Sequence, residues 1–163
     1  MFFKKREKET AKTGKVWSVQ DGNVIPVTEV HDEAFSSKVL GDGVAIQPEG
    51  GTVLSPVTGK IINIASTCHA YGIQADDGTE ILVHIGIDTV KLSGKGFENL
   101  VAVGEEVKAG TPLCNVDLPY IRQNGCDTDI IVLLTDPARC GNPVYHTGIT
   151  AAAGETCVIE YSK

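Results

Sequence analysis

Apolar residues in this chain come in short Val- and Ile-rich runs, each cut after a few positions by glycine, proline or aspartate. Runs of that length suit strands and fall short of the helices a bundle needs, so an all-β fold is expected. The strongest local signal lies in residues 67–90, T-C-H-A-Y-G-I-Q-A-D-D-G-T-E-I-L-V-H-I-G-I-D-T-V. Asp77-Gly78 between two alternating segments reads as a hairpin turn, because the centres of a tight two-residue turn favour positive φ. With that turn, His84 falls opposite Tyr71 and His69 opposite Gly86. A turn centred on Asp76-Asp77 sets the two histidines directly opposite each other. Either way the imidazoles share a face, opposite or as a diagonal pair roughly 7–8 Å apart. A three-residue loop would instead send them to opposite faces, because a one-residue slip inverts every side chain.

The remaining runs place further strands. Residues 15–26 read as a strand pair around Asp21-Gly22-Asn23, with Val16, Trp17, Val24 and Ile25 as core. Residues 27–35 read as a polar loop ending on an exposed Phe35. In 38–48, two glycines flank Asp42 and suggest a bulge or bend between strands. Residues 51–62 read as two strands around a Pro-initiated turn, and residues 51–61 and 101–113 are both turn-bearing, Val- and Gly-punctuated units, a weak internal duplication. The one helix candidate is 117–126, with Asp117 as N-cap and Pro119 in its first turn. Residues 91–97 and 136–148 read as loops, and 129–135 and 156–161 as the last strands.

At 163 residues the chain suits one domain, 15–163, preceded by a mobile basic tail, 1–14. A net charge of −7 argues against nucleic acid as partner and favours a protein with a basic patch. No apolar run is long enough to span a bilayer, and Met1-Phe2-Phe3-Lys4-Lys5-Arg6 lacks a secretion signal's apolar region. Five cysteines at irregular spacing do not form a disulfide framework, so a cytoplasmic location is the simplest expectation.

Two same-face histidines could form a reactive pair, a metal site or a packing contact, and spacing alone leaves all three open. Zinc needs three or four ligands, and no H-x-H or C-x₂-C motif adds to His69 and His84. They would be a half-site, completed only by a partner's carboxylate. Cys68, on the opposite face of an ideal strand, is a poor third ligand. His31 and His146 read as structural. For chemistry, one ring nitrogen must be free while the other is held, and Gly86 has a carbonyl within reach of His84. Thr67 could orient His69, and Asp88 shares the His84 face. No Walker-type loop or kinase lysine is present, so a transferred phosphoryl group would have to arrive on another protein.

Residues 78–97, G-T-E-I-L-V-H-I-G-I-D-T-V-K-L-S-G-K-G-F, resemble the phosphorylation-site signature of the glucose-class enzyme IIA family of the bacterial sugar phosphotransferase system. Val39-Leu40-Gly41-Asp42-Gly43-Val44-Ala45-Ile46, Ser55-Pro56-Val57-Thr58-Gly59, Thr67-x-His69-Ala70 and Gly104-x-x-Val107-x-x-Gly110 follow in family order. The resemblance implies a compact antiparallel β-sandwich or distorted barrel, a duplicated hybrid motif with at most one or two short helices. It implies that His84 accepts phosphoryl on Nε2 from the carrier HPr and passes it to a IIB domain of a sugar permease. His69 would donate to the phosphoryl oxygens, Thr67 would orient it, and Gly86 would hold the acceptor ring. Asp32 and Asp88 would meet a basic residue of HPr, with Phe35, Val39, Leu40 and Leu82 in the apolar docking ring. No cofactor is implied. Contact with the membrane would come transiently, through the permease.

Glu33, Ala34 and Ala65 stand where better-known members carry larger apolar residues, and 138–145 replace a short helical turn. A zinc hydrolase of the related hybrid fold is the alternative, although its H-x-H pair is missing here. A regulatory module, read by other proteins through its phosphorylation state, is compatible with the carrier role.

Overall fold

The computed structural model describes residues 13–163, and these build an almost wholly β protein of antiparallel sheets. The first strands are β1 (Thr13–Trp17), β2 (Gly22–Pro26), β3 (Asp42–Pro48), β4 (Thr52–Leu54), β5 (Gly59–Ile64), β6 (Ala70–Ala75) and β7 (Glu80–Ile85). They are followed by β8 (Phe97–Asn99), β9 (Glu106–Val107), β10 (Pro112–Val116), β11 (Ile130–Leu134), β12 (Gly141–Tyr145), β13 (Ile149–Ala151) and β14 (Cys157–Ser162). Two short helices interrupt them, α1 (Glu33–Ser36) and α2 (Leu118–Gln123).

The main sheet runs β13-β2-β3-β11-β7-β6-β5-β9, flanked by the three-stranded sheets β1-β14-β12 and β4-β10-β8. Strand β11, I-I-V-L-L, is buried at every position, so its two faces serve two cores. Ile130, Val132 and Leu134 join the large core, whereas Ile131 and Leu133 join a smaller one with Val27, Phe35 and Ala45. Alternation on the pleat explains the division. Strand β7 pairs His84 with Ile131 and Leu82 with Leu133, so the smaller core lies on the His84 side of the sheet.

Several expected neighbours turn out not to pair. Strands β1 and β2 both form, but β1 pairs with β14 and β2 with β3 and β13, so Asp21-Gly22 joins two sheets instead of closing a hairpin. Residues 38–48 hold one strand, β3, entered through Gly41 at φ 137°. β4 and β5 likewise enter different sheets. The two similar units, 51–61 and 101–113, bond to each other: Ser55 N–H donates to the Thr111 carbonyl at 2.7 Å, and Ile61 N–H to the Glu105 carbonyl at 2.9 Å. Between those bonds Gly59 faces Val107 and Lys60 faces Glu106, an antiparallel seam.

Residues 27–35 are not a plain loop. A 3-10 turn at Val27–Glu29 precedes α1, whose first turn is capped by Asp32 accepting from Ala34 N–H at 2.9 Å. Phe35, expected exposed, is 4% exposed because α1 folds it down onto the smaller core. Residues 136–148 hold a 3-10 turn, Pro137–Arg139, and the edge strand β12. Pro143 is tolerated there by a register shift between Gly141 and Val144. Residues 91–97 likewise begin inside a 3-10 turn, Thr89–Leu92, and end in β8. Helix α2 sits where expected, with the Asp117 carboxylate accepting from Tyr120 N–H at 3.1 Å. Thr13 and Gly14, assigned to the tail, open β1, and the rest of the expected tail lies outside the described residues. Among the described residues, no helix is long and apolar enough to cross a membrane.

Candidate functional site: a neutral histidine pair

Strands β6 and β7 form the hairpin, but its register pairs Ala70 with His84 and Gln74 with Glu80. The loop is therefore the three-residue one, Asp76-Asp77-Gly78, closed by Gly78 N–H on the Ala75 carbonyl at 2.9 Å with Gly78 at φ 91°. A residue in the left-handed region at the third loop position is what such loops require, and glycine takes it without steric cost. On this register, alternation would send the two histidines to opposite faces. They meet nonetheless, ring centroids 5.0 Å apart and planes at 83°.

The cause is a turn. Strand β6 begins at Ala70, and Cys68 just before it has φ 59°, with its N–H donating to the Ala65 carbonyl at 2.7 Å. His69 leaves this turn before strand alternation applies, while Ile85 N–H donates to its carbonyl at 2.7 Å and ties it to β7. The expectation that strand parity pairs the histidines is corrected accordingly, and Cys68 lies in a turn and not on a strand.

His84 Nδ1 lies 2.9 Å from the Gly86 carbonyl. A carbonyl only accepts, so Nδ1 carries the hydrogen and Nε2 keeps its lone pair. Gly86 has φ 79°, and a Cβ there would sit 2.5 Å from Thr89 Cγ2 and 2.9 Å from the Asp127 carbonyl oxygen. Only glycine can present that carbonyl. The Phe35 ring lies against His84, centroids 4.8 Å apart. Burial first, then repulsion from a protonated His69, pushes the His84 pKa down to about 4, against opposing pulls from Gly86, Asp32 and Asp88. Burial lowers the His69 pKa as well. Both rings are thus neutral near pH 7. His69 is buried, and its Nδ1 lies 2.6 Å from Thr67 Oγ1.

Around the pair, Asp88 is exposed at φ 61° and Asp32 half-buried at the α1 cap. Val39 is 74% and Leu40 44% exposed, whereas Leu82 is half-buried against the smaller core. Of the other histidines, His146 pairs with Glu160 at 2.9 Å, and exposed His31 stands 3.5 Å from Asp127. Sequence reasoning missed the contributions of Asp127 and Asp129. Their backbone carbonyls hold Ile87 N–H at 3.0 Å and Gly86 N–H at 2.8 Å, and backbone contacts leave no mark on residue type. Among the described residues, no group of three or more His, Cys, Asp or Glu is arranged to hold a metal ion.

An all-β domain presenting a neutral imidazole with a free Nε2 beside a second neutral imidazole has the makings of a histidine group carrier. Residues 14–140 match the model of a protein family described as the phosphoenolpyruvate-dependent sugar phosphotransferase system, EIIA 1. The chain is similar to the PTS system glucose-specific EIIA component of Staphylococcus epidermidis, 38% identical over 161 residues covering 97% of each chain. The corresponding protein of Bacillus anthracis is 42% identical over 139 residues, 85% of this chain and 84% of that one. The PTS system glucoside-specific EIICBA component of Staphylococcus carnosus is 43% identical over 127 residues, 78% of this chain but only 18% of that far longer protein. Among solved structures, glucose permease IIA from Mycoplasma capricolum superposes with a TM-score of 0.82 at 36% identity, covering 91% of this chain and 96% of that one. The chain belongs to the enzyme IIA family of the sugar phosphotransferase system and is a phosphocarrier component of sugar uptake, acting between HPr and a IIB domain.

Proposed function

We propose that His84 is the phosphoryl acceptor and His69 its assistant. The observation that carries this is the Nδ1 contact of His84 with the Gly86 carbonyl, which leaves Nε2 as the nucleophile. The Nε2 lone pair attacks phosphorus on the phosphohistidine of HPr. The new N–P bond forms as the donor's breaks, and the donor imidazole keeps the electron pair. The Nδ1 proton stays hydrogen-bonded to the Gly86 carbonyl, which helps to stabilise the positive charge that develops on the ring. In the onward step a cysteine thiolate of the IIB domain attacks phosphorus, and the pair returns to Nε2.

His69 assists if its Nδ1 accepts from the Thr67 hydroxyl, 2.6 Å away. Its single proton then sits on Nε2, free to donate to the phosphoryl oxygens. Exposed Val39 and Leu40 supply apolar docking area, and Asp32 and Asp88 offer charge to a basic partner side chain. The docking face therefore suits partners that combine an apolar patch with a cation. The glucose- and glucoside-specific names of the relatives support a IIB partner of the glucose class, met at the cytoplasmic face of the membrane.

The test is a transfer assay with phospho-HPr and a panel of IIB domains. His84→Ala should take up no phosphoryl group, while His69→Ala should accept it and pass it on poorly. Labelled phosphate on the His84→Ala protein, or native onward transfer by His69→Ala, would defeat the assignment.

A further inference from the structure

Just past the end of β7 the backbone turns sharply, with Gly86 at φ 79° and Asp88 at φ 61°, and enters the 3-10 turn that begins with Thr89. Thr89 is fully buried, a polar side chain with no access to solvent. Its hydroxyl donates to the Ile85 carbonyl at 2.6 Å. Its methyl packs over Gly86, 2.5 Å from where a Cβ on that glycine would stand.

These contacts bear on how the acceptor ring is held. The Gly86 carbonyl that takes the His84 Nδ1 proton in a hydrogen bond belongs to the second of two successive peptide planes. The first plane has its carbonyl on the Thr89 hydroxyl and its N–H on the Asp129 carbonyl at 2.8 Å. The second, which carries the Gly86 carbonyl itself, has its N–H on the Asp127 carbonyl at 3.0 Å. The direction of the Gly86 carbonyl is set by the rotation between the two planes. Apart from the His84 ring itself, the hydroxyl of Thr89 is the one group holding these planes that a side chain supplies. Ile85 N–H also donates to the His69 carbonyl at 2.7 Å, so the same short segment sets both histidines.

We infer that Thr89 is a positioning residue for phosphoryl transfer: its hydroxyl fixes the Ile85–Gly86 peptide so that the Gly86 carbonyl selects the His84 tautomer with Nε2 free. This rests on His84 being the acceptor. Thr89 touches no reacting atom and acts through the backbone.

The two contacts can be separated. Thr89→Val keeps the methyl and removes the hydroxyl, whereas Thr89→Ser keeps the hydroxyl and removes the methyl. Thr89→Ala serves as the hydroxyl-less variant if valine's second methyl prevents folding. Two readouts apply to the full-length protein. Nitrogen-15 NMR of the unphosphorylated protein reports the His84 tautomer and needs no partner, so it stands or falls separately from the acceptor assignment. Phosphoryl uptake from phospho-HPr reports kcat and KM.

The hydroxyl-less variants should show a mixture of His84 tautomers and a kcat lower by roughly tenfold, the scale of loss when a reacting group is slightly misplaced, with KM for HPr unchanged. Thr89→Ser should restore both readouts. Native tautomer and kcat in the hydroxyl-less variants would overturn the inference. So would a fall in kcat with the tautomer unchanged, or a Thr89→Ser protein as impaired as Thr89→Ala.

Discussion

Folding stability measured against pH should carry the signature of the neutral His84 ring. An unfolded histidine gains its proton near pH 6.5, whereas burial and His69 hold that of folded His84 down to about 4. Between these values the unfolded protein binds one proton more than the folded protein. Stability from this group is therefore fully present above pH 6.5 and is lost as the pH falls toward 4. The gap of about 2.5 units, at about 1.36 kcal/mol per unit, amounts to about 3 kcal/mol over the whole window. By pH 5 about 1.5 units have been crossed, a loss of about 2 kcal/mol. His84→Gln removes the titrating ring at similar size. Urea unfolding of both proteins at pH 7.5 and pH 5.0 isolates the effect, because titrations common to both cancel. The native protein should lose about 2 kcal/mol more than the variant between the two values. Equal losses would refute the reasoning, since they would mean that His84 titrates alike folded and unfolded.

Other substitutions probe three separate parts of the site. Thr67→Val removes the 2.6 Å contact with His69 and should cost about 1 kcal/mol of stability; onward transfer to a IIB domain should slow while Thr67→Ser restores it, as read by quench-flow kinetics. Phe35→Ala empties a site that is 4% exposed and should destabilise by about 3 kcal/mol in urea titration, near the low end for phenylalanine because a surface helix can partly settle into the space. Val39→Glu and Leu40→Glu, at exposed positions, should leave stability within about 0.5 kcal/mol of native yet raise KM for HPr, measured by thermal melts alongside uptake kinetics.

The strands themselves were largely legible in the sequence because their cause is local: alternating or continuous Val and Ile runs bounded by glycine and aspartate. Strand partners were not, because pairing β1 with β14 joins residues far apart in the sequence, and no local pattern encodes that choice. The histidine pair shows the same divide. The Asp-Gly signal located the hairpin, but the loop took three residues and shifted the register by one. What then brings His69 to His84 is the left-handed turn at Cys68, and a non-glycine residue there gives no warning of it. Phe35 read as exposed because its neighbours are polar; the small core that buries it is assembled from β3, β11 and the turn after β7. Helix α2 was legible, since Asp117 and Pro119 are strong start signals, whereas four-residue α1 offers too few positions for any periodicity.

The measurement that bears most directly on the central claim is phosphorus and nitrogen-15 NMR of the protein after phosphorylation by phospho-HPr. The geometry predicts a single phosphohistidine, on Nε2 of His84, with the Nδ1 proton still hydrogen-bonded to the Gly86 carbonyl at the site where the two heavy atoms now lie 2.9 Å apart. Phosphorus bonded to Nδ1 of His84, or to either nitrogen of His69, would contradict it.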